Sequence, residues 1–137
     1  MDLDDFKQVN ELHGHQAGDE VLREVGAALR RSLRAYDIVA RYGGDEFALI
    51  AVDAGEQEAS DVTERSLLAV GRVSQARATA GVAESEPEQS STELIERADR
   101  ALRYAKHRGE RGSAQRASLV PEGFEPAAMP RAELRRP

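Results

Sequence analysis

The segment RYGGDEFALI, residues 41–50, sets two glycines and two adjacent carboxylates between apolar runs. DIVARY (37–42) before the glycines and FALIAV (47–52) after the acids both have the composition of short strands. In the second run Phe47, Leu49 and Ala51 share one sheet face, and Ala48, Ile50 and Val52 the other. Gly43 and Gly44 permit positive φ and a tight reversal, so Asp45 and Glu46 are predicted at the tip of a β-hairpin. An ordinary solvated turn is the alternative, since Gly and Asp are common turn residues. The remainder of the chain decides between them.

Outward from the hairpin, QAGDEVLREVGAALRRSLR (16–34) carries Val21, Leu22, Val25, Ala28, Leu29 and Leu33 at helical spacing. Asp19 and Glu20 are placed in its first turn and Arg30, Arg31 and Arg34 in its last, each sign complementing the helix dipole. A second helix is predicted over 56–69. VSQARATAGVA (73–83) alternates, with Ala76, Ala78, Ala80 and Val82 on one face, and its small side chains imply a helix packed closely over a strand. Ser90 and Glu93 have capping-box spacing. They introduce a third helix with Leu94, Ile95, Ala98, Ala101, Leu102 and Ala105 on one side and Gly109 as its stop. The segment from residue 2 to the first of these helices reads as a loop and a helix start. Helices interleaved with strands make an α/β sandwich, with two or three strands under three helices.

One domain is the natural count for 137 residues, and such a chain buries about two-thirds of its unfolded surface. With 40% apolar residues, many of them alanine, and 4% aromatics, the core is expected to be thin and built from Leu, Val, Ile and Ala. A net charge of −6 argues against a nucleic-acid polymer as partner, which needs a basic face. With no cysteine there is neither a disulfide framework nor a thiolate metal site, and the composition fits a cytoplasmic location. No run approaches the ~20 apolar residues of a membrane helix. Residues 113–137, with four prolines among Arg, Glu and Ala, are expected to form a disordered tail.

Three stretches carry candidate chemistry. DLDDFK (2–7) places Asp2, Asp4 and Asp5 ahead of Lys7. A hard cation such as Mg²⁺ is held by one or two carboxylates plus substrate phosphates, so an acid from this segment and one from the hairpin tip would make such a site. Lys7 would supply a charge for phosphate oxygens. A solvated acidic terminus is the alternative. His13 and His15 are two apart and lack further N or S ligands, so they are not read as a zinc pair. Asp19 is by default a helix cap or dipole partner. Arg34 and Asp37 in RAYD (34–37) form either a local ion pair or an anion clamp.

Taken together, DLDDFKQVNELHGHQAGDEVL (2–22), RAYDIVARYGGDEF (34–47), TAGVA (79–83) and ERADRALRYAK (96–106) resemble, in order and spacing, the GGDEF domain of diguanylate cyclases. The resemblance spans residues 2 to 112. It implies a GGDEF-type αβ sandwich around a central, mostly antiparallel sheet. It also implies condensation of two GTP molecules into cyclic di-GMP, with release of two pyrophosphates, at a site shared by a homodimer. By the same resemblance Asp2, the Leu3 carbonyl, Asp45 and Glu46 are ligands of Mg²⁺, with Mn²⁺ as an alternative. Asp45 and Glu46 are catalytic carboxylates with Lys7, and Asp45 is the proton acceptor. Asn10, His15 and Asp19 bind substrate, Asn10 and Asp19 at the guanine edge. Gly43 and Gly44 let the backbone approach the nucleotide, and Lys106 reaches a phosphate. Arg34 and Asp37, with Arg65 in TERS (63–66) as a further arm, match the inhibitory site that binds cyclic di-GMP.

The family carries a helix and a central strand ahead of the first metal-binding aspartate, and this chain is expected to lack both. It is also short between LLAV (67–70) and TAGVA. After Lys106 the family favours K-x-x-G-R, whereas KHRGER (106–111) puts Glu110 in the arginine's place, with Arg111 able to substitute only after a local shift. These departures leave two other readings: a catalytically inactive GGDEF domain that binds GTP or cyclic di-GMP as a sensor, or an inert fragment.

Overall fold

A computed structural model describes residues 1–74 and 76–126. In chain order the elements are β1 (Asp2–Leu3), α1 (Phe6–His13), α2 (His15–Ser32), β2 (Ile38–Arg41), β3 (Phe47–Ile50), α3 (Glu56–Ser74), β4 (Ala78–Val82), α4 (Ser91–His107) and β5 (Ala114–Arg116). A short 3₁₀ turn, Ala117–Leu119, follows.

The hairpin is where the sequence places it. β2 and β3 pair antiparallel, Ile38 opposite Ile50 and Arg41 opposite Phe47. Its glycines are used differently from the expectation. Positive φ among glycines is found at Gly14, Gly109 and Gly112, not at Gly43 or Gly44. Gly43 is there for space instead: a Cβ on it would lie 2.3 Å from Glu46 Oε2.

β4 is the hub of the sheet. It pairs antiparallel with β1 and parallel with β5, giving the order β1-β4-β5. β1 in turn meets the hairpin through one bridge, Asp2 opposite Glu46. Around that bridge the Leu3 amide donates to Asp45 O at 3.1 Å and the Phe47 amide to Met1 O at 2.9 Å. Two residues therefore occupy the middle of the sheet, between β3 and β4, where the gap was expected.

The core lies between this sheet and α2 and α3. Leu3, Phe6, Leu22, Val25, Leu29, Phe47, Leu67, Val70 and Ala78 form it. Two phenylalanines are thus buried, while Ile38, Ile50 and Ile95 are exposed. The isoleucines expected in the core stay outside because Ile38 and Ile50 face each other on the hairpin's outer side, and Ile95 sits off the apolar stripe of α4. That helix buries Ala101, Leu102 and Ala105 and carries the predicted capping box at Ser90 and Glu93. It rests tightly on β4: a Cβ on Gly81 would lie 1.8 Å from Ala98 O, as the alanine-rich strand implied.

Four expectations are corrected. The segment after residue 5 forms α1, whose one buried side chain is Phe6. Its core-facing stripe is short, Phe6 and the partly buried Val9, and packing on α2 holds the helix. Second, α2 starts at His15, so Asp19 and Glu20 fall beyond its first turn. Third, α3 runs on through Val73 and Ser74, where the alternation of residues 73–83 predicts a strand. Fourth, residues 113–126 are ordered on the domain: β5 joins β4, Arg100 donates to the carbonyls of Pro121, Glu122 and Phe124, and Phe124 packs edge-on against Tyr104 at 5.0 Å. Residues 127–137 of the expected tail lie outside the described residues. Among the described residues no helix is long and apolar enough to cross a membrane.

Candidate functional site

The β1–β3 bridge decides the geometry of the site. It brings Asp2, 43 residues away in sequence, alongside Asp45 and Glu46. Asp45 and Glu46 are both half-buried. Burial pushes the Asp45 carboxyl above its ordinary range, and the charge of Asp2 adds to the rise while Lys106 and Arg41 oppose it. Glu46 is raised by burial first, then by Asp2 and Asp45. Like charges gathered in a partly dry place are the physical reason. Among the described residues no three His, Cys, Asp or Glu side chains are grouped so as to hold a metal ion by themselves. An all-oxygen donor set that repels itself and leaves positions open suits a hard divalent cation that keeps water and phosphate ligands.

Lys106, on the last turn of α4, forms an ion pair with Asp2 and stands 3.8 Å from Asp4. The fully buried Thr79 hydroxyl donates to the Asp4 carboxylate at 2.9 Å and accepts the Gly112 amide at 3.0 Å. Lys7 is elsewhere: its ammonium pairs with Glu11 one turn along α1 at 3.5 Å, and its side chain is 88% exposed. Arg111 is committed to Asp5 at 2.7 Å and Glu110 to Arg108 at 2.9 Å.

Between α2 and the hairpin lies an open cleft of about 440 Å³ whose lining includes Asp19, Gly26, Arg41 and Phe47. Asn10, on α1, lies over Gly18 of α2 so closely that a Cβ there would meet Asn10 Oδ1 at 2.0 Å. His15 is exposed at the start of α2. Gly44 has nothing within 4 Å of where its Cβ would stand, so the tip is open to an approaching group. Arg41 is a residue that the sequence reading passed over. Its guanidinium donates to the Gly43 carbonyl at 3.2 Å and the Gly44 carbonyl at 2.7 Å, fixing the turn that presents Asp45. Its position in strand alternation, on the Phe47 side, was the available signal. Thr79 and Gly18 were passed over too, because neither is adjacent in sequence to what it touches.

The second predicted cluster is assembled only in part. Asp37 is 2% exposed, and its carboxylate accepts the backbone amides of Arg34 at 3.0 Å and Val52 at 3.2 Å. It is a buried brace for the turn into β2. Arg34 reaches Glu58 at 2.6 Å, and Arg65 donates to the Ser32 carbonyl at 3.4 Å, which sets both near the end of α2.

A family model described as "Diguanylate cyclase, GGDEF domain" matches residues 1–112. Diguanylate cyclase DosC of Escherichia coli (strain K12) is 36% identical over 118 residues, 80% of this chain and 26% of DosC. The probable diguanylate cyclase DgcE of the same organism is 38% identical, and the chain spans 11% of its length. Among solved structures, the GGDEF domain of DgcB from Caulobacter crescentus, in complex with c-di-GMP, matches with a TM-score of 0.75 at 32% identity, over 85% of this chain and 72% of that one. The GGDEF domain of YfiN (TpbB) from Pseudomonas aeruginosa matches with a TM-score of 0.74 at 37% identity, over 87% and 80% of the two chains.

Proposed function

The chain belongs to the GGDEF domain family, and from that premise we propose that it is a diguanylate cyclase, joining two GTP molecules into cyclic di-GMP and releasing two pyrophosphates. The observation that carries this reading is the Asp2–Glu46 bridge, which gathers three carboxylates from two distant segments beside Lys106. Asp2, the Leu3 carbonyl, Asp45 and Glu46 would hold Mg²⁺ or Mn²⁺. Such an ion, when bound, supplies charge neutralisation at the phosphates and polarises the phosphorus under attack.

The chain's own residues do the rest. Asn10 and Asp19 bind the guanine edge in the cleft between α2 and the hairpin, where a carboxylate accepts from donors that adenine lacks. His15 stands at the start of α2, one turn before Asp19. Gly43 and Gly44 keep the tip slim enough for the triphosphate to approach. Lys7 and Lys106 carry ammonium groups to the phosphates, Lys7 after leaving Glu11. Two copies, each holding one GTP, face each other. The 3′-hydroxyl of one nucleotide then bonds to the α-phosphorus of the other as the bond to pyrophosphate breaks, and Asp45 accepts the hydroxyl proton. A second such event closes the ring. Arg34, Asp37 and Arg65 form the product-binding inhibitory site, with Asp37 acting through the backbone it braces. The location proposed for this activity is the cytoplasm, where GTP is available.

The test is purified protein with GTP and Mg²⁺ or Mn²⁺, scored for cyclic di-GMP and for two pyrophosphates per product, beside Glu46→Ala. Product from the unaltered chain and none from the variant supports the reading. Folded protein that binds neither ion nor GTP sinks it. A second reading, nucleotide binding without turnover, is favoured by Glu110, an acid paired to Arg108 where the family favours an arginine. Tight GTP or cyclic di-GMP binding with no product identifies that case.

A further inference from the structure

The contacts of Lys106 have a consequence of their own. Its ammonium sits on Asp2 with Asp4 at 3.8 Å, and little of the trio reaches solvent: 23% of the Lys106 side chain, 21% of Asp2 and 3% of Asp4. The two acids are held unequally. Asp4 is fixed by the Thr79 hydroxyl at 2.9 Å and, through its own amide, by the Arg77 carbonyl at 2.8 Å. The Asp2 carboxylate, among the described residues, has Lys106 as its one hydrogen-bond donor. A carboxylate that must serve a cation is thus already served by one.

We propose that Lys106 is the resident counter-ion of the acidic site, competing with the divalent cation for Asp2, and that Asp4 is the positioning residue that retains the ammonium once Asp2 is taken. This rests on the reading of Asp2 as a metal ligand. A divalent ion and an ammonium cannot share one carboxylate closely, because their repulsion in a partly desolvated place is several-fold stronger than in water. The ammonium needs only a short swing to remain paired with Asp4, whose anchoring to Thr79 keeps it in reach. From there it meets the phosphates that arrive with the ion. Ion and nucleotide binding are therefore positively coupled, each drawing Lys106 away from Asp2.

The experiment measures Mn²⁺ binding to the nucleotide-free protein by calorimetry, with circular dichroism to show that each variant is folded. Lys106→Met binds Mn²⁺ about tenfold more tightly than the unaltered chain, a size set by one partly screened ion pair. Lys106→Gln shifts the same way and stands in if the apolar side chain prevents folding. Arg111→Gln removes an equal charge from the neighbouring Asp5 and stays within about twofold if contact with Asp2 matters rather than net charge. Unchanged or weaker binding in both Lys106 variants, with the unaltered chain still binding, overturns this inference alone. Equal tightening in Arg111→Gln also overturns it. Absence of Mn²⁺ binding from folded unaltered chain and variants alike overturns the metal-ligand reading with it.

Discussion

Gly81→Ala perturbs the seat of α4 on β4, on which Lys106 depends. The new Cβ would lie 1.8 Å from Ala98 O, 2.5 Å from Leu102 N and 2.9 Å from Ala98 C, all backbone atoms of one helix. Against an ordinary contact of 3.4 Å the first is 1.6 Å short. No side chain can rotate away, so α4 itself must retreat and loosen the buried Ala101, Leu102 and Ala105. Overpacking of a core costs about 1–3 kcal/mol, and a backbone-on-backbone clash belongs at the top of that range. A loss of about 3 kcal/mol is a large part of the ~5–15 kcal/mol that holds a domain folded. At roughly 3–5 °C per kcal/mol for a chain of this size, the melting temperature falls by about 10 °C. Thermal unfolding followed by circular dichroism reads this directly, and nucleotide-free Mn²⁺ binding should change as Lys106 is drawn off Asp2. A melting temperature within about 2 °C of the unaltered chain refutes the close packing and the positioning drawn from it.

Four further outcomes are expected. Gly18→Ala meets the far end of a flexible side chain, Asn10 Oδ1 at 2.0 Å, and the buried Phe6 ring at 3.2 Å, so stability falls by about 1 kcal/mol while GTP affinity falls ~10–100-fold as the amide swings away; an unchanged ratio of GTP to ATP binding excludes Asn10 from the guanine edge. Ser90→Ala removes the cap of α4 and costs about 1 kcal/mol. The Ser90 hydroxyl, then its backbone amide, holds the Glu93 carboxyl below its usual value of 4.5, so this part of stability is present above that pH and is lost as pH falls through the depressed value. The difference between Ser90→Ala and the unaltered chain should therefore shrink in acid, and urea unfolding at several pH values checks it. Arg34→Ala is expected to leave synthesis intact and weaken inhibition by cyclic di-GMP, as read from product dose–response curves. Asp37→Ala strands two backbone amides and costs about 1–3 kcal/mol, so it lowers the melting temperature where Arg34→Ala does not.

Legibility in the sequence followed the strength of local signals. The hairpin, the capping box at Ser90, the stop at Gly109 and the apolar stripe of α2 each rest on residues within a turn or two of one another, and each is present. α1 is harder to read because its core-facing side chains, Phe6 and the partly buried Val9, span less than one turn. The order in residues 113–126 was missed because it comes from Arg100, more than twenty residues away, gripping carbonyls that no composition reveals. At the candidate site the acids could be named from their motifs, but Thr79, Arg41 and Gly18 could not. Each matters through a neighbour brought up by folding or by the closing of a turn.

What the sequence by itself determined is the inventory: an α/β chain, an acidic hairpin tip, a second acidic segment at its start, and helices whose ends carry their own stop signals. Tertiary structure alone decided which acids meet and which cation sits on them. Asp2 reaches Glu46 through a sheet bridge, Lys106 reaches Asp2 across 104 positions, and Lys7, five residues from Asp2, turns to Glu11 instead. The reason is physical: side-chain chemistry is a property of the residue, whereas a carboxylate's partner and affinity depend on distance and desolvation, which only the packed chain sets.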